Sequence, residues 1–489
     1  MVEQGCREGW LPNIDTRFYK GGARVRHAVT CVPPVTYAAI ATILTGAGPG
    51  QHQIIGNRWF DPDEALFRDY ATIRHYRDVN ADFDAPTVYE RIQPATSVSI
   101  QSAHRRGVTK NIANWALSGV DWFFHNYTAV DKLTASSIWR VAWWANEHGQ
   151  WPSVLMCYFP GVDSIGHAWG PSSPVFRSAM EHADYQVGRV CDWLEAKGLL
   201  ETTYVVLLSD HGMVDVEPEG HIDLLSLVRD AWGRSATRLA LQENTRSERL
   251  SYYDQFDTVV NDQDGRRASL HFRDSNGWDH RAACADVETI LLAPPPDARL
   301  WNIEGVDLVI YLAAHDEAVL RSRAGEARIR RRATPTGPEY EYVPEPVDVL
   351  GYLGEPALSE FVAAGFHPSR DWLAATASQT RPDVVPHLIS LLHVRRAGQV
   401  VLFAEPGYSF VKESGGHGGV HRDEMLMTVL ITGPGIEPGS VVEVARSVDL
   451  VPTILDWLDI EADDEGCLEG VSLLNAGLRC GETARAEGR

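Results

Sequence analysis

Thr203-Tyr-Val-Val-Leu-Leu-Ser209, followed at once by Asp210-His211-Gly212-Met213, joins a nearly continuous apolar run to a polar ending. Val154-Leu-Met-Cys-Tyr-Phe-Pro160, with Asp163 and His167 just beyond it, repeats that arrangement. Apolar runs of this length are typical of parallel strands that are buried on both faces. In open α/β sheets, ligands bind at the carboxyl ends of the strands. The sequence therefore predicts an α/β fold with a functional site at that edge.

The side chains at this edge are of the types that hold zinc-like ions. Five residues supply carboxylates and imidazoles: Asp163, His167, Asp210, His211 and, within Gly416-His417-Gly418, His417. Two ions held close together can clamp a phosphoryl group during in-line displacement. The set therefore predicts two divalent metal ions.

Each of these motifs also has a simpler interpretation. Asp163 and His167 are four residues apart and could pair on a helix surface without a metal. Asp210 and His211 could cap a helix, and His417 could be an ordinary residue of a glycine-rich loop. The occurrence of all of them in one chain favours the metal interpretation.

Thr36 is the candidate nucleophile. Pro33 and Pro34 hold the approach extended, and Thr36 opens a helix-compatible run that is closed by Gly46. A hydroxyl at a helix N-terminus lies where free N–H groups and the helix dipole favour a phosphate. The alternative is an ordinary helix-capping threonine.

Together the motifs resemble the alkaline phosphatase superfamily, specifically its type I phosphodiesterase and nucleotide pyrophosphatase family. The resembling segments follow the family order: Thr36 to Gly46, His52, Ile54-Ile55-Gly56-Asn57, Asp163-x-x-Gly166-His167, Ser209 to Met213, Gly416-His417-Gly418 and Val448-Asp449-Leu450-x-Pro452-Thr453. The resemblance implies that Asp163, His167 and His417 hold one ion. It implies that Asp210, His211 and the Thr36 oxygen hold the other, with zinc as the expected metal, although such ligands also serve manganese and iron.

The same resemblance implies a mechanism and a substrate class. Thr36 would attack phosphorus, and water would hydrolyse the resulting phospho-threonine. The expected activity is hydrolysis of phosphodiester or pyrophosphate bonds in a small phosphate ester. Tyr37, which could stack on a base or an aryl group or simply pack in the core, and Asn57 are the candidate substrate-binding residues.

Two departures from the family pattern bear on activity. The family begins with a strand whose final aspartate ligates the second ion, and nothing before Thr36 looks like that strand, so we expect the given chain to start one strand late. The alternative is that the second metal site has lost this carboxylate, which should weaken the second ion and raise the pKa of Thr36. Ala39 stands where nucleotide pyrophosphatases usually carry an asparagine that donates to a phosphate oxygen.

Other functions stay open at this point. A phosphomonoesterase, a phosphonate hydrolase or a phosphoryl transferase would share the fold and the core, and a metal-impaired protein would bind without turnover. Cys31-Val-Pro33 resembles the start of the sulfatase motif Cys-x-Pro-x-Arg, but the arginine is absent. The family spacing of ten residues before Gly46 points to Thr36 rather than to Cys31.

Composition limits the possible partners. The net charge of −22 argues against a nucleic acid polymer as partner. No stretch approaches the length of a transmembrane helix and residues 1–6 lack a signal-peptide core, so no membrane segment is expected in the given chain and the localisation stays open. The seven scattered cysteines predict neither a disulfide framework nor a cysteine zinc site.

The spacing of the motifs indicates the domain organisation. Residues 1–232 alternate strand and helix patterns, including a helix over 179–197. This alternation indicates one half of a doubly wound sheet. Residues 233–397 carry no ligand motif and are expected to form an α+β, cap-like insertion with a hairpin that turns at Gly325. Residues 398–489 close the core. The expected fold is thus a doubly wound, mostly parallel sheet flanked by helices, with an α+β insertion.

Overall fold

The computed structural model describes residues 1–113, 126–278, 280–461 and 468–479. The α-helices are α1 (Val2–Glu8), α2 (Pro12–Ile14), α3 (Thr36–Thr45), α4 (Pro49–His52), α5 (Val79–Asp82), α6 (Val88–Arg91), α7 (Tyr127–Ser136), α8 (Trp139–His148), α9 (Gly161–Trp169), α10 (Pro174–Ala196), α11 (Leu224–Ser226), α12 (Arg246–Tyr253), α13 (Cys284–Leu292), α14 (Pro356–Ala363), α15 (Ser369–Thr376), α16 (Val384–His393), α17 (Arg422–Met425) and α18 (Leu450–Trp457).

The strands are β1 (Ala23–Val29), β2 (Arg58–Asp61), β3 (Leu66–Asp69), β4 (Ser97–Ile100), β5 (Lys110–Ile112), β6 (Val154–Cys157), β7 (Val205–Leu208), β8 (Val214–His221), β9 (Ala236–Thr237), β10 (Thr258–Asp264), β11 (Arg267–Phe272), β12 (Val306–Ala314), β13 (Glu317–Ser322), β14 (Gly325–Thr334), β15 (Gly337–Val343), β16 (His367–Pro368), β17 (Val400–Ala404), β18 (Gly407–Ser409), β19 (Gly415–Gly416), β20 (Leu426–Met427), β21 (Val429–Thr432) and β22 (Val441–Arg446).

Two of the sheets carry the strands that lead into the predicted site. In the first, β1 pairs parallel with β22 and antiparallel with β20 and β21, and β21 pairs antiparallel with β7. In the second, β4 lies between β5 and β6, and all three are parallel. Within the described residues, β6 and β7 each pair with a neighbour on one side only. The polar motifs follow β6 and β7 directly.

The prediction of parallel strands buried on both faces is confirmed for the direction of β6, which is parallel to β4, and is wrong for the direction of β7 and for the burial of both strands. The side chains of both strands are half-buried along their whole length, and β7 is antiparallel to its neighbour β21. A strand with one paired edge keeps its side chains partly accessible at the other edge, and an apolar composition does not reveal which edges are paired. The α/β class holds, but the described pairing is mixed rather than mostly parallel.

Helix α10 connects the two sheets. Its side chains pack against β6 in one apolar cluster and against β7 in another. On the opposite side, α3 and α18 contribute to clusters that contain side chains of β6 and of β7. The prediction of a helix over 179–197 is confirmed by α10. Packed helices on both sides therefore hold β6 and β7 in a fixed relation to each other.

Helix α3 begins and ends as the sequence predicts. It spans Thr36–Thr45, and Gly46 follows it in the left-handed conformation at φ 67°. A side chain at Gly46 would also lie within 2.6 Å of Leu468 and 2.9 Å of Val451, so glycine is required both for the turn and for the close approach. Every residue of α3 from Ala38 onward is buried. This burial fixes Thr36 at the helix N-terminus.

The middle of the chain forms a nine-stranded sheet in the order β16-β15-β14-β13-β12-β17-β11-β10-β9. Its pairs are antiparallel except β9 with β10, and large apolar clusters cover its two faces. The predicted hairpin is confirmed, because β14 begins at Gly325 and pairs with β13. β17, which follows the predicted boundary at 397, lies between β11 and β12. The domain boundaries at 232 and 397 stay predictions.

Two further findings concern membranes and thiols. In the part of the chain that the structure describes, every helix is too short or too polar to cross a bilayer. Cys6, Cys31, Cys157, Cys191 and Cys284 are free thiols, while Cys467 and Cys480 lie outside the described residues.

Candidate active site

Three predicted ligands converge at the end of β6. Asp163 and His167 lie one turn apart on α9, and His417 follows β19. Asp163 Oδ1 is 3.6 Å from His167 Nε2 and 3.7 Å from His417 Nε2. The two Nε2 atoms are 3.1 Å apart. These atoms form a group that could hold one metal ion.

Hydrogen bonds orient the three histidines of the site in the same way. His417 Nδ1 lies 2.9 Å from the carbonyl oxygen of Pro34, and His211 Nδ1 lies 2.9 Å from that of Gly212. His167 Nδ1 contacts the Glu413 carboxylate at 2.8 Å and a backbone carbonyl at 2.9 Å. Because these oxygens can only accept, each Nδ1 donates, and in the neutral ring Nε2 keeps its lone pair. Such an arrangement is typical of metal-binding histidines.

The convergence of acceptors fits a cation. Asp163 Oδ1 is buried and accepts no hydrogen bond from the described residues. Burial alone would lower the pKa of His167, but the carboxylates of Asp163 and Glu413 together raise it to about 9. Burial, His211 and His167 lower the pKa of His417 well below its ordinary value. The side chains of Asp163, His167 and His417 together thus favour one positive charge at the point where they meet.

The second predicted ligand set lies beside the first. His211 Nε2 is 3.2 Å from Thr36 Oγ1 and 3.4 Å from Asp210 Oδ2. The rings of His211 and His417 stack with their centroids 3.8 Å apart. Thr30 donates a hydrogen bond of 2.6 Å to the backbone carbonyl of Asp210, which fixes the segment after β7. Both predicted ligand sets therefore lie in one site.

The simpler interpretations of these motifs do not describe the geometry. Asp163 and His167 do lie on one helix and do contact each other. Both also approach His417, which a simple pair on a helix surface would not do. Asp210 and His211 precede strand β8 and cap no helix. The N-cap of α3 is Val35, and no side chain caps that helix. The roles of these residues as ligands and nucleophile stay predictions.

Asn57 lies beside α3. Its Oδ1 accepts a hydrogen bond of 3.1 Å from the backbone N–H of Tyr37, the residue after Thr36, so the NH₂ group is the part of this side chain that can donate to a ligand. The Tyr37 ring stacks on Tyr70 with centroids 4.7 Å apart, and its hydroxyl donates to the Tyr70 carbonyl. One face of the Tyr37 ring is thus occupied within the protein.

The structure gives no support to Cys31 as a nucleophile. The thiol is 3% exposed and contacts the Pro33 carbonyl. Burial raises the pKa of Cys31 to about 12, whereas a reactive cysteine needs a lowered pKa. Ala39 is fully buried and packs with Cys31 and Ala38.

Sequence reasoning missed three carboxylates that support the site. Glu413 orients His167, Asp131 accepts a 2.9 Å hydrogen bond from Gly161 at the start of α9, and Asp264 binds the Asn57 backbone. Burial raises the pKa of Asp131 to about 7. Only Glu413 left a signal, because it lies four residues before His417 in the same glycine-rich stretch.

Solved structures share the fold of this chain. Human ectonucleotide pyrophosphatase/phosphodiesterase 5 superposes with a TM-score of 0.57 at 15% identity, and the match covers 95% of this chain and 93% of that one. An inactive threonine-to-alanine variant of the murine protein, in complex with AMP, gives a TM-score of 0.53 at 14% identity, covering 94% and 91%. These likenesses show an alkaline phosphatase-like α/β fold.

Sequence similarity then gives the family. The family described as type I phosphodiesterase / nucleotide pyrophosphatase matches residues 7–283, and the chain belongs to it. An uncharacterised pyrophosphatase/phosphodiesterase of Schizosaccharomyces pombe is 26% identical over 237 residues, 46% of each chain. The bis(5'-adenosyl)-triphosphatase enpp4 of Xenopus laevis is 24% identical over 222 residues, 44% of this chain and 45% of that one. The chain spans about half the length of these curated relatives. The family resemblance predicted from the motifs is confirmed.

Proposed function

We propose that this protein hydrolyses phosphodiester or pyrophosphate bonds in small phosphate esters, with Thr36 as the nucleophile. The observation that carries the proposal is the position of Thr36 Oγ1. It lies at the N-terminus of α3 and 3.2 Å from His211 Nε2, next to the group formed by Asp163, His167 and His417. A hydroxyl in that position meets both the helix dipole and the ligands of two ions.

Two divalent ions, with zinc as the expected metal, fit these residues. Asp163, His167 and His417 would hold one ion, and Asp210, His211 and the Thr36 oxygen the other. When bound, such ions would supply positive charge that lowers the pKa of the Thr36 hydroxyl and offsets the charge of the phosphate. In the family pattern an aspartate also ligates the second ion. The presence of that aspartate in this protein stays a prediction.

The residues of the chain divide the reaction into two displacements. The Thr36 oxygen forms a bond to phosphorus while the bond to the leaving oxygen breaks, and that oxygen departs with the electron pair. Water then attacks the same phosphorus and the bond to Thr36 breaks, which restores the hydroxyl. The NH₂ group of Asn57 and the free N–H groups of α3 bind the phosphate oxygens in both steps.

The relatives suggest the kind of substrate. One is named a bis(5'-adenosyl)-triphosphatase, and a solved neighbour holds AMP. We infer that a nucleotide-like small phosphate ester is the substrate here, with Tyr37 beside the leaving group. Ala39 stands where nucleotide pyrophosphatases usually carry an asparagine donor. A phosphate monoester or phosphonate, which the same fold and core would serve, is the second candidate.

We also propose that the three-stranded and five-stranded sheets belong to one doubly wound sheet, with residues 233–397 as an insertion. Support comes from α10, which packs against both β6 and β7, and from α3 and α18 on the opposite side. The site residues follow the carboxyl ends of both strands, as they do in sheets of that kind.

Hydrolysis of bis-p-nitrophenyl phosphate and of p-nitrophenyl phosphate, with zinc and with a chelator, tests the proposal. We expect zinc-dependent diester hydrolysis that exceeds monoester hydrolysis and disappears in Thr36→Ala. Thr45→Ala is the matched control, because its hydroxyl bonds the Ala41 carbonyl at the far end of the same helix. A higher monoester rate would favour the second candidate, and AMP binding without any turnover would favour a binding protein.

A further inference from the structure

A tight turn of the nine-stranded sheet reaches into the site. Asp264 ends β10 and Arg267 begins β11. The Asp264 side chain is buried, and its Oδ1 accepts hydrogen bonds from the backbone N–H groups of Asn57, at 3.0 Å, and Arg58, at 3.2 Å. Both donors belong to the loop that follows the nucleophile helix, more than 200 residues away in sequence. One carboxylate thus holds the backbone of the candidate substrate-binding residue.

The contact continues to the nucleophile helix. Asn57 Oδ1 accepts the N–H of Tyr37, the residue after Thr36. On the other side, Asp264 Oδ2 lies 3.5 Å from the buried guanidinium of Arg267. A chain of polar contacts therefore runs from Arg267 through Asp264 and Asn57 to the N-terminus of α3. A buried carboxylate is costly unless it is paired and hydrogen-bonded, and Asp264 is both.

The loop is shaped to receive this carboxylate. A Cβ atom at Gly56 would lie 2.0 Å from Asp264 Oδ2, so any side chain there would displace the carboxylate or the loop. Glycine at this position is explained by the close approach of Asp264. The close fit between Gly56 and Asp264 holds the Asn57 backbone against β10, next to α3.

The same turn supports the metal-binding side. The backbone N–H of Arg266 donates a 2.9 Å hydrogen bond to the His417 carbonyl. The Arg266 guanidinium forms a fully buried ion pair of 2.5 Å with Glu424, and Glu424 accepts a 2.7 Å hydrogen bond from the N–H of Gly419. The turn of residues 264–267 therefore lies between the loop that carries Asn57 and the loop that carries His417.

We propose that Asp264 is a positioning residue of the site: through the backbone of Asn57 it fixes the amide that binds the phosphate. The inference rests on the proposed function, since it assigns Asn57 to phosphate binding. Among the described residues, the Asp264 side chain contacts Asn57, Arg58 and Arg267 and none of the predicted metal ligands, so its loss should weaken phosphate binding and leave the ions in place. The nine-stranded sheet thereby contributes to catalysis through one side chain.

The test compares Asp264→Ala with Asp262→Ala. Asp262 lies on the same strand, is equally buried and is paired with Arg238 at 3.0 Å, but it contacts Leu225 rather than the site. For Asp264→Ala we expect kcat/KM on bis-p-nitrophenyl phosphate to fall about 100-fold, as for loss of one transition-state donor. Asp264→Asn, which keeps the acceptor oxygen, should recover most of that loss. Bound zinc, measured by elemental analysis, should stay unchanged in all three variants.

A readout without turnover separates this inference from the proposed function. Hydrogen exchange of the 54–58 segment should be at least several-fold faster in Asp264→Ala than in Asp262→Ala or the wild type, because Asp264 protects two of its amides. Should Asp264→Ala fail to fold, Gly56→Ala disturbs the same contact from the loop side. Equal losses of activity and equal exchange in Asp264→Ala and Asp262→Ala would overturn the inference. A wild-type protein that hydrolyses no phosphate ester, with exchange that still depends on Asp264, would overturn only the proposed function.

Discussion

Nε2 of His167 lies 3.1 Å from Nε2 of His417, although 250 residues separate the two histidines in the chain. Each ring donates through its Nδ1 to a fixed oxygen, so both lone pairs meet beside Asp163 Oδ1. A proton between the two Nε2 atoms, or a bound cation in its place, offsets the repulsion of these three acceptor atoms. The pair is therefore the structural reason to place a metal ion between α9 and the loop after β19.

Glu413 should control the affinity for that ion. Its carboxylate, 8% exposed, accepts the Nδ1–H of His167 at 2.8 Å and so orients the ligand. Changing such a partner of a ligand typically costs 10 to 100-fold in metal affinity, so we expect about a tenfold loss in Glu413→Gln and a larger one in Glu413→Ala. Zinc affinity measured against a competing chelator checks this, with the exposed Glu443→Gln as control. Unchanged affinity in both Glu413 variants would contradict the assignment.

Asn57 should stabilise the transition state directly. Its Oδ1 accepts the N–H of Tyr37, the residue after Thr36, so its NH₂ group is the part of the side chain that can donate to a bound phosphate. Removing one such donor costs on the order of 100-fold to 1,000-fold in kcat, and we expect Asn57→Ala to fall in that range on bis-p-nitrophenyl phosphate. Steady-state kinetics with the exposed Asn276→Ala as control measure the effect. A change confined to KM would place Asn57 in substrate binding alone.

Asp131 should make the stability of the protein depend on pH. Burial raises its pKa from 3.8 to about 7 in the folded protein, so the folded state holds the proton more tightly than the unfolded chain does. The free energy of unfolding must then fall as pH rises through that window. Asp131→Asn keeps an acceptor for the Gly161 N–H and removes the titration.

Between pH 5 and pH 8, Asp131→Asn should therefore gain roughly 2 to 3 kcal/mol of stability relative to the wild type. Urea unfolding at both pH values measures this difference. The exposed Asp456→Asn serves as control and should show no such gain. Parallel pH dependence of the wild type and Asp131→Asn would show that the carboxyl does not titrate in this window.

Cys31 should be dispensable for hydrolysis. Its thiol is buried, has a pKa raised to about 12 and points to the Pro33 carbonyl rather than to the ligands. We expect Cys31→Ala to keep kcat within about threefold of the wild type while it loses about 1 to 2 kcal/mol of stability through the small cavity. Activity assays and thermal unfolding on the same sample check both values. Loss of turnover in a folded Cys31→Ala protein would revive the sulfatase interpretation.

The sequence predicted the parts of the molecule that depend on local pattern. Helix α3 could be placed because Pro33, Pro34 and Gly46 mark its limits. The grouping of Asp163, Asp210 and their histidines followed from polar residues placed after apolar strands. The partial exposure of β6 and β7 could not be predicted, because apolar composition does not reveal which edges of a strand are paired.

The supporting carboxylates were harder to find for a different reason. Asp264 meets Asn57 across 207 residues and Glu413 meets His167 across 246, so no short motif contains either contact. An aspartate in a strand and a glutamate in a loop are ordinary residues until the fold brings them to their partners. Tyr37 presents the reverse case, because its position beside Thr36 was evident but its stacking on Tyr70 depends on tertiary packing.

The covalent intermediate on Thr36 is the central claim of this account. Rapid acid quenching during bis-p-nitrophenyl phosphate turnover, followed by mass spectrometry of the peptide that contains Thr36, tests it most directly. We predict a nitrophenyl-phosphoryl group on Thr36 in the wild type and in Thr45→Ala, and none in Thr36→Ala, which should also be inactive. Turnover without an adduct in the wild type, together with sustained turnover in Thr36→Ala, would contradict the account.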